Sequence, residues 1–199
     1  MNATSTRPSI LRTTSMAVMV SAGLLLGTPL ATITATDALA AGSSSEPAKS
    51  AEKCKRGEVY SKRQKKCVPE ESSSVTNEDR YETGRALAHA GRFEDAIELL
   101  RTADASDPRV LNYLGYASRN AGRVEEGMAY YERALAIDPN FTLARSYMGQ
   151  ALLLQGDEAG AWEQLELIAR VSGIEGPDYV QLRDALRDSG TTGADFYRR

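Results

Sequence analysis

Glycine recurs at fixed offsets through the second half of this chain, and that recurrence constrains the fold more than any other feature. Gly84, Gly115 and Gly149 set two spacings, the second slightly the longer, and Gly91, Gly122 and Gly156 keep both. Ala96, Gly127 and Ala161 repeat them, as do Leu100, Tyr131 and Leu165, and then Ala103, Ala134 and Ile168. Pro108 and Pro139 keep the first spacing, and Gly173 takes the third place. Self-similarity at such a period marks a stacked array, in which each unit buries its apolar face against its neighbours.

Each unit reads as helix, tight turn, helix. Gly91, Gly122 and Gly156 end the first helix, where a residue with positive φ is wanted. Asp107-Pro108 and Asp138-Pro139 stop the second, because proline disfavours helical geometry at the residue before it. Gly84, Gly115 and Gly149 are expected to face the small residues Ala96, Gly127 and Ala161, so that paired helices approach closely. Leu87, Ile97, Leu100, Leu114, Met128, Tyr131, Leu135, Met148, Leu152 and Leu165 would fill the seam.

The middle unit carries Leu111, Leu114-Gly115, Gly122, Gly127, Tyr131, Ala134 and Pro139, and its segment 129–139 reads AYYERALAIDP. In these residues it resembles the tetratricopeptide repeat family, and the resemblance covers about 77–173. It implies an all-α fold: a helix-turn-helix solenoid of three units, about 77–107, 108–141 and 142–173. Three departures stand out. The family's tryptophan is Leu111 in the middle unit and Arg145 in the third. Its usual alanine is Gly127, which keeps the small size and lowers helix propensity by about 1 kcal/mol. The first unit is joined by a shorter connection than the second.

Gly176-Pro177-Asp178 opens a further helix, 177–188, with Asp178 as its expected N-cap. Tyr179, Leu182, Ala185 and Leu186 form one apolar stripe on it. Stacked repeats need an end cap with one polar face, and this helix suits that place. Residues 189–199 read as a disordered tail, although Phe196-Tyr197-Arg198-Arg199 could form a short docking segment.

The other end of the chain has a different character. Arg7 and Arg12 precede an apolar run from Met16 to Leu26, and Ala38-Leu39-Ala40 has the form of a cleavage site. Residues 1–40 are therefore expected to be a signal peptide, with a mature start at Ala41. A retained anchor is the alternative. A membrane span needs about 20 apolar residues, and this run is shorter. Export would place the protein in a periplasm or outside the cell, with no membrane span after cleavage.

Residues 41–53 and 69–76 read as flexible linkers. Between them, 54–68 forms a basic loop bounded by Cys54 and Cys67. An exported chain with two cysteines offers one intramolecular pairing. Glu58-Val59-Tyr60-Ser61 and Lys66-Cys67-Val68 can form two short strands around a Lys62–Lys65 turn, with Gly57 supplying tight backbone. A hairpin alone is marginal in water, and a disulfide closing such a loop contributes about 3 kcal/mol.

Charge divides at the same place. All six lysines lie between 49 and 66, whereas from Asn77 onward there are 14 arginines, no lysine and 21 carboxylates. The basic loop is either a solvated surface or a patch for an envelope polymer or polysaccharide. The loop weakly resembles half of small extracellular cysteine modules that bind polysaccharide, without their other cysteines; a plain disulfide-pinned hairpin is the alternative to such binding.

No residues suggest catalysis, a cofactor or a metal. His89 is the one histidine and has no nucleophile at a useful spacing. The pairs Glu94/Asp95, Glu125/Glu126 and Asp157/Glu158 follow each turn glycine and suit the start of a second helix, where carboxylates meet the positive end of the macrodipole. Two cysteines without a nearby histidine are too few ligands for tetrahedral zinc. A net charge of −3 gives no general attraction to nucleic acid.

The resemblance implies a binding module whose first helices line a concave groove. By position, the groove residues are Tyr81, Arg85 and His89 in unit one. Unit two contributes Arg109, Asn112, Tyr116, Arg119 and Asn120, and unit three Ser146, Gln150 and Leu153. Arg85, Arg109 and Arg119 suit bidentate recognition of carboxylates. The expected partner is a protein or an extended peptide with acidic groups or a free carboxylate; the alternative for the arginines is a solvated face. The leading reading is an exported interaction scaffold or adaptor. The alternative is an envelope-surface binding protein attached through its hairpin.

Overall fold

A computed structural model of the chain describes residues 50–190, all within the unit that runs from Ala40 to Arg199. Residues 1–49 and 191–199, which hold the expected signal peptide, most of the first linker and nearly all of the tail, lie outside the described residues. Among those described are one two-stranded antiparallel hairpin and seven helices. The hairpin pairs β1 (Glu58–Ser61) with β2 (Lys66–Pro69). The helices are α1 (Asn77–His89), α2 (Phe93–Leu100), α3 (Pro108–Asn120), α4 (Val124–Ile137), α5 (Thr142–Leu154), α6 (Glu158–Ser172) and α7 (Pro177–Asp188).

Three pairs, α1/α2, α3/α4 and α5/α6, stack in order, and α7 packs on α5 and α6. Each pair turns on a glycine with positive φ: Gly91 at 76°, Gly122 at 83° and Gly156 at 79°. The residue after each glycine donates its N–H to the carbonyl five residues back. These bonds are Arg92 to Leu87, Arg123 to Ser118 and Asp157 to Leu152, each 2.9 Å long. They close the helix end with the six-to-one bond of the Schellman motif. Starts are set locally too. Thr76 and Asp79 form a reciprocal capping box on α1. Asp107 caps α3, with Pro108 in its first turn.

Close approach of α3 and α4 depends on Gly127, where a Cβ would come within 2.9 Å of the Gly115 carbonyl oxygen. The large residue of the second helix covers the small one of the first in units one and two, Leu100 over Gly84 and Tyr131 over Gly115. Unit three differs from the other two. Gly149 is covered by Leu182 of α7. The capping helix thus enters the core of the last unit, where Leu182 and Leu186 are fully buried. Asp178 does not cap α7: Gly176 precedes the helix, Pro177 opens it, and the Asp178 carboxylate accepts a 2.6 Å hydrogen bond from the Thr142 hydroxyl.

Arg145 stands where the repeat usually has tryptophan. Its Nε and Nη2 donate to the Pro139 carbonyl and its Nη1 to Gln164 Oε1 at 3.0 Å, so hydrogen bonds replace packing there.

The hairpin and its disulfide form as the sequence suggests, with Cys54 and Cys67 bonded, Gly57 at positive φ and Val59 paired with Val68. The hairpin does not stand apart from the helices. Val59 is fully buried and belongs to the same apolar cluster as Leu87 and Leu111. Tyr60 N–H donates to Thr83 Oγ1 at 3.0 Å and Lys62 N–H to Asp79 Oδ1 at 3.1 Å. Arg92 donates to the carbonyls of Cys54 and Glu52. The 69–76 segment is a hydrogen-bonded turn, with bonds from Ser72 N–H to Pro69 and from Val75 N–H to Ser72. Thr83 and Asp79 lie one turn apart on α1, so one helix face carries both docking acceptors. The hairpin covers the first end of the stack as α7 covers the last.

Candidate functional site

The groove positions fall on α1, α3 and α5, the first helices of the three units. Around them lies a connected set of rings. Tyr81 meets Tyr113 edge-on at 5.9 Å, and His89 meets Tyr113 at 5.4 Å and Tyr116 at 5.6 Å. Tyr116 lies 4.9 Å from Tyr147, which in turn contacts Tyr131. Residue-by-residue projection named Tyr81, His89 and Tyr116 and missed Tyr113 and Tyr147. A signal for the missed pair existed: they are separated by the same offset that divides Gly115 from Gly149.

The three arginines differ in what they meet. Arg109 is fully engaged. It bonds Asp107 and Glu78, at 2.7 and 2.9 Å from Nη2, and its guanidinium lies 4.4 Å over the Tyr81 ring. Arg85 donates from Nε to the Tyr113 hydroxyl at 3.1 Å and sits 3.7 Å from Glu82. Arg119 is only 8% exposed, and no carboxylate of the described residues lies within ion-pair distance of it. Its Nη1 donates to Gln150 Oε1 at 3.2 Å, and its guanidinium sits 5.7 and 5.8 Å from the Tyr116 and Tyr147 ring centres. Its Nε, and Nε2 of Gln150, are buried without a partner.

The remaining positions are less open than a solvent-lined groove would make them. Asn112 is completely buried, and neither its amide oxygen nor its nitrogen has a partner. Ser146 is completely buried as well, and its hydroxyl contacts Gln181 of α7 at 3.4 Å. Asn120 spends its amide on the Tyr116 carbonyl of its own helix. Leu153 is half-buried and packs with the cluster of α6 and α7. His89 Nε2 shares the Tyr113 hydroxyl with Arg85 at 3.1 Å. Partial burial and then the Arg85 charge hold its imidazole below the ordinary range. Burial pushes the Tyr81 phenol up to about 12 and the Tyr147 and Tyr131 phenols further.

The projected face therefore gathers phenol rings around a desolvated guanidinium at the α3–α5 junction. It brings Tyr116, Arg119 and Gln150 together and leaves Asn112 and Ser146 beneath the surface. Rings and guanidinium can hold a peptide side chain and an anion. No group of three metal-ligating side chains occurs among the described residues, and none of their helices is long and apolar enough to cross a membrane.

A family model described as tetratricopeptide repeat matches residues 108–141, which hold α3 and α4. No curated protein sequence matches significantly. Among solved structures, the chain is similar to the TPR domain of Sgt2 from Aspergillus fumigatus, with a TM-score of 0.53 and 23% identity over 62% of this chain and 82% of that one. It is also similar to the Yersinia enterocolitica type III secretion chaperone SycD in complex with a peptide of the translocator YopD. There the TM-score is 0.50 and the identity 18%, over 60% of this chain and 97% of that one. MamA matches with a TM-score of 0.50 and 20% identity over 59% and 71%. At these identities the likeness speaks to the fold. Residues 108–141 thus match the tetratricopeptide repeat model, and the stack of helix pairs around them has the fold of these solved structures.

Proposed function

We propose that this protein is an exported interaction scaffold that holds an extended peptide segment of another protein across α1, α3 and α5, with an acidic side chain or terminal carboxylate of the guest against Arg119. The observation that carries the reading is the isolation of that guanidinium. A buried cation without an anion is costly, and Arg85 and Arg109 both have carboxylates of their own. A guest carboxylate would complete the Arg119 environment through a charge-assisted bond. The fold supports the coarser part, since one of the similar structures holds a translocator peptide. The role is binding and not catalysis. Export is supported by the apolar run Met16–Leu26 with the Ala38-Leu39-Ala40 motif after it, and by the Cys54–Cys67 bond, which persists in oxidising compartments.

The experiment is selection from a displayed random peptide library by the wild-type protein and by Arg119→Gln and Arg109→Gln variants, each checked for native helicity. Wild type and Arg109→Gln are expected to enrich peptides with a carboxylate, and Arg119→Gln to lose that enrichment. Equal enrichment by all three overturns the assignment of Arg119. For export, the mass of the mature chain recovered from its host should correspond to a start at Ala41; an intact Met1 would count against cleavage.

A further inference from the structure

We infer that the turn of the disulfide hairpin is a second binding site, for a linear polymer carrying phosphate groups, independent of the peptide-holding face. Lys62, Arg63, Lys65 and Lys66 are four cations within five residues, all exposed. Among the described residues only Lys62 of these four has a carboxylate within reach, Glu82 at 3.6 Å, an exposed pair of little strength. Arg56, at the base of the same hairpin, shows the contrast, because Asp95 and Glu98 already neutralise it.

The backbone that carries these four charges is held in place. Ser61 pairs with Lys66, Lys65 N–H donates to the Ser61 carbonyl at 2.7 Å, and Gln64 N–H approaches Ser61 Oγ at 3.4 Å. The Lys62 N–H is bound to Asp79 of α1, which ties the turn to the solenoid. Lys65 adopts a φ of 54°, a conformation that a glycine or asparagine would take at less cost. A lysine there keeps a cation at the turn at the expense of backbone ease. A pre-ordered turn backbone reduces the freedom lost on binding.

The chemistry of the cluster selects among polyanions. Three of its four cations are lysines, which bind phosphate as compact point charges, and one is an arginine, whose fork grips carboxylate or phosphate bidentately. The turn residues 62–66 include no aromatic ring on which a base could stack, which single-stranded nucleic acid recognition uses. Nor do they include an apolar side chain that could enter a lipid interface. A polymer with repeated phosphates and no base is the partner that remains. The rest of the fold, with 21 carboxylates against 14 arginines from Asn77 onward, would repel such a polymer and leave the hairpin end as its point of attachment.

The test measures binding of the full chain to inorganic polyphosphate across a salt series, with polygalacturonate and phosphatidylglycerol vesicles as parallel probes. Four neutralised phosphates predict a slope of log affinity on log salt of about −3, taking the single-strand coefficient. Replacing Lys62, Arg63, Lys65 and Lys66 together by Gln should lower affinity at least tenfold and flatten the slope. Lys66→Gln or Arg63→Gln alone should each reduce the slope by about 0.7. The same number of charges removed from the helices, Arg133→Gln, Arg170→Gln, Arg183→Gln and Arg187→Gln, should leave affinity within twofold. Equal loss from that helical set, equal or tighter binding to polygalacturonate, binding to vesicles alone, or no binding to polyphosphate would each overturn the inference. Loss of the peptide preference at Arg119 would leave this result unaffected.

Discussion

Replacing Gly115 with alanine tests the close approach of α3 and α4 on which the middle unit is built. In an exposed helix this change would stabilise by about 1 kcal/mol. Here the added Cβ would lie 2.5 Å from Cε1, 2.7 Å from Cδ1 and 2.9 Å from Cζ of Tyr131. Ordinary carbon contacts begin at about 3.5 Å, so ring or helix must yield by about 1 Å. Tyr131 is 0% exposed and has no solvent side to move into. Overpacking of this kind costs about 1–3 kcal/mol. Three atoms inside the contact distance place it at the upper end, and the net expectation is a loss of about 2 kcal/mol.

Urea unfolding followed by helical circular dichroism reads this directly, as a lower midpoint at constant slope. A second background separates the clash from any general intolerance of the site. The three atoms in conflict are all ring atoms, which valine lacks. In a Tyr131→Val protein, Gly115→Ala should therefore be neutral or stabilising, with a coupling of about 2–3 kcal/mol between the two sites. Stabilisation by Gly115→Ala in the natural background, or an equal effect in both backgrounds, would refute the reasoning.

Three further outcomes are expected. Tyr131→Phe should raise the melting temperature, by up to about 1 kcal/mol in stability, because the buried hydroxyl has no partner to lose; a drop would reveal a bond to that oxygen. Replacing Cys54 and Cys67 by serine should cost about 3 kcal/mol, seen as faster amide exchange in 58–69 and little change in α5–α7. Burial alone would raise the Asp95 carboxyl, but hydrogen bonds from Arg92 and Arg56 outweigh it and hold the group below the ordinary aspartate value. Its contribution is therefore present above about pH 4, the unfolded value, and is lost as pH falls through the lower folded one. Exchange protection of the hairpin should fall over that acid range, and an Asp95→Asn protein should lack that dependence.

What could be read from the sequence was the part that repeats. Gly91, Gly122 and Gly156 share an offset because each helix end needs the same left-handed residue, and all three have it. The hairpin was legible because its strands, turn and cysteines all lie in the one short segment 54–69. The docking of that hairpin was not. It rests on Asp79 and Thr83, which are remote in sequence from the strand and turn they receive, and nothing in the local pattern marks a capping-box aspartate as also accepting a strand N–H. Ser146 and Gly149 were misjudged for a related reason: both are covered by α7, whose place over α5 depends on tertiary packing. Arg109 was misjudged although a clue was available. Glu78 precedes it by one repeat, so stacking alone makes the two neighbours.

Stacking also explains the division between Arg109 and Arg119. In a stacked array, a carboxylate one unit away stands at a set height and angle, and a planar fork can meet it bidentately where a flexible ammonium gains less. Arg109 with Glu78 and Arg101 with Glu126 use the arrangement across units. Arg119 occupies an equivalent place between α3 and α5, but Gln150 stands where an anion would complete the pair. Glutamine satisfies one N–H and leaves the charge uncompensated. The stack could have closed this site with a glutamate at 150, and a Gln150→Glu protein should then be more stable and bind acidic peptides less well. Enhanced stability with undiminished acid preference would mean that guests reach the fold elsewhere.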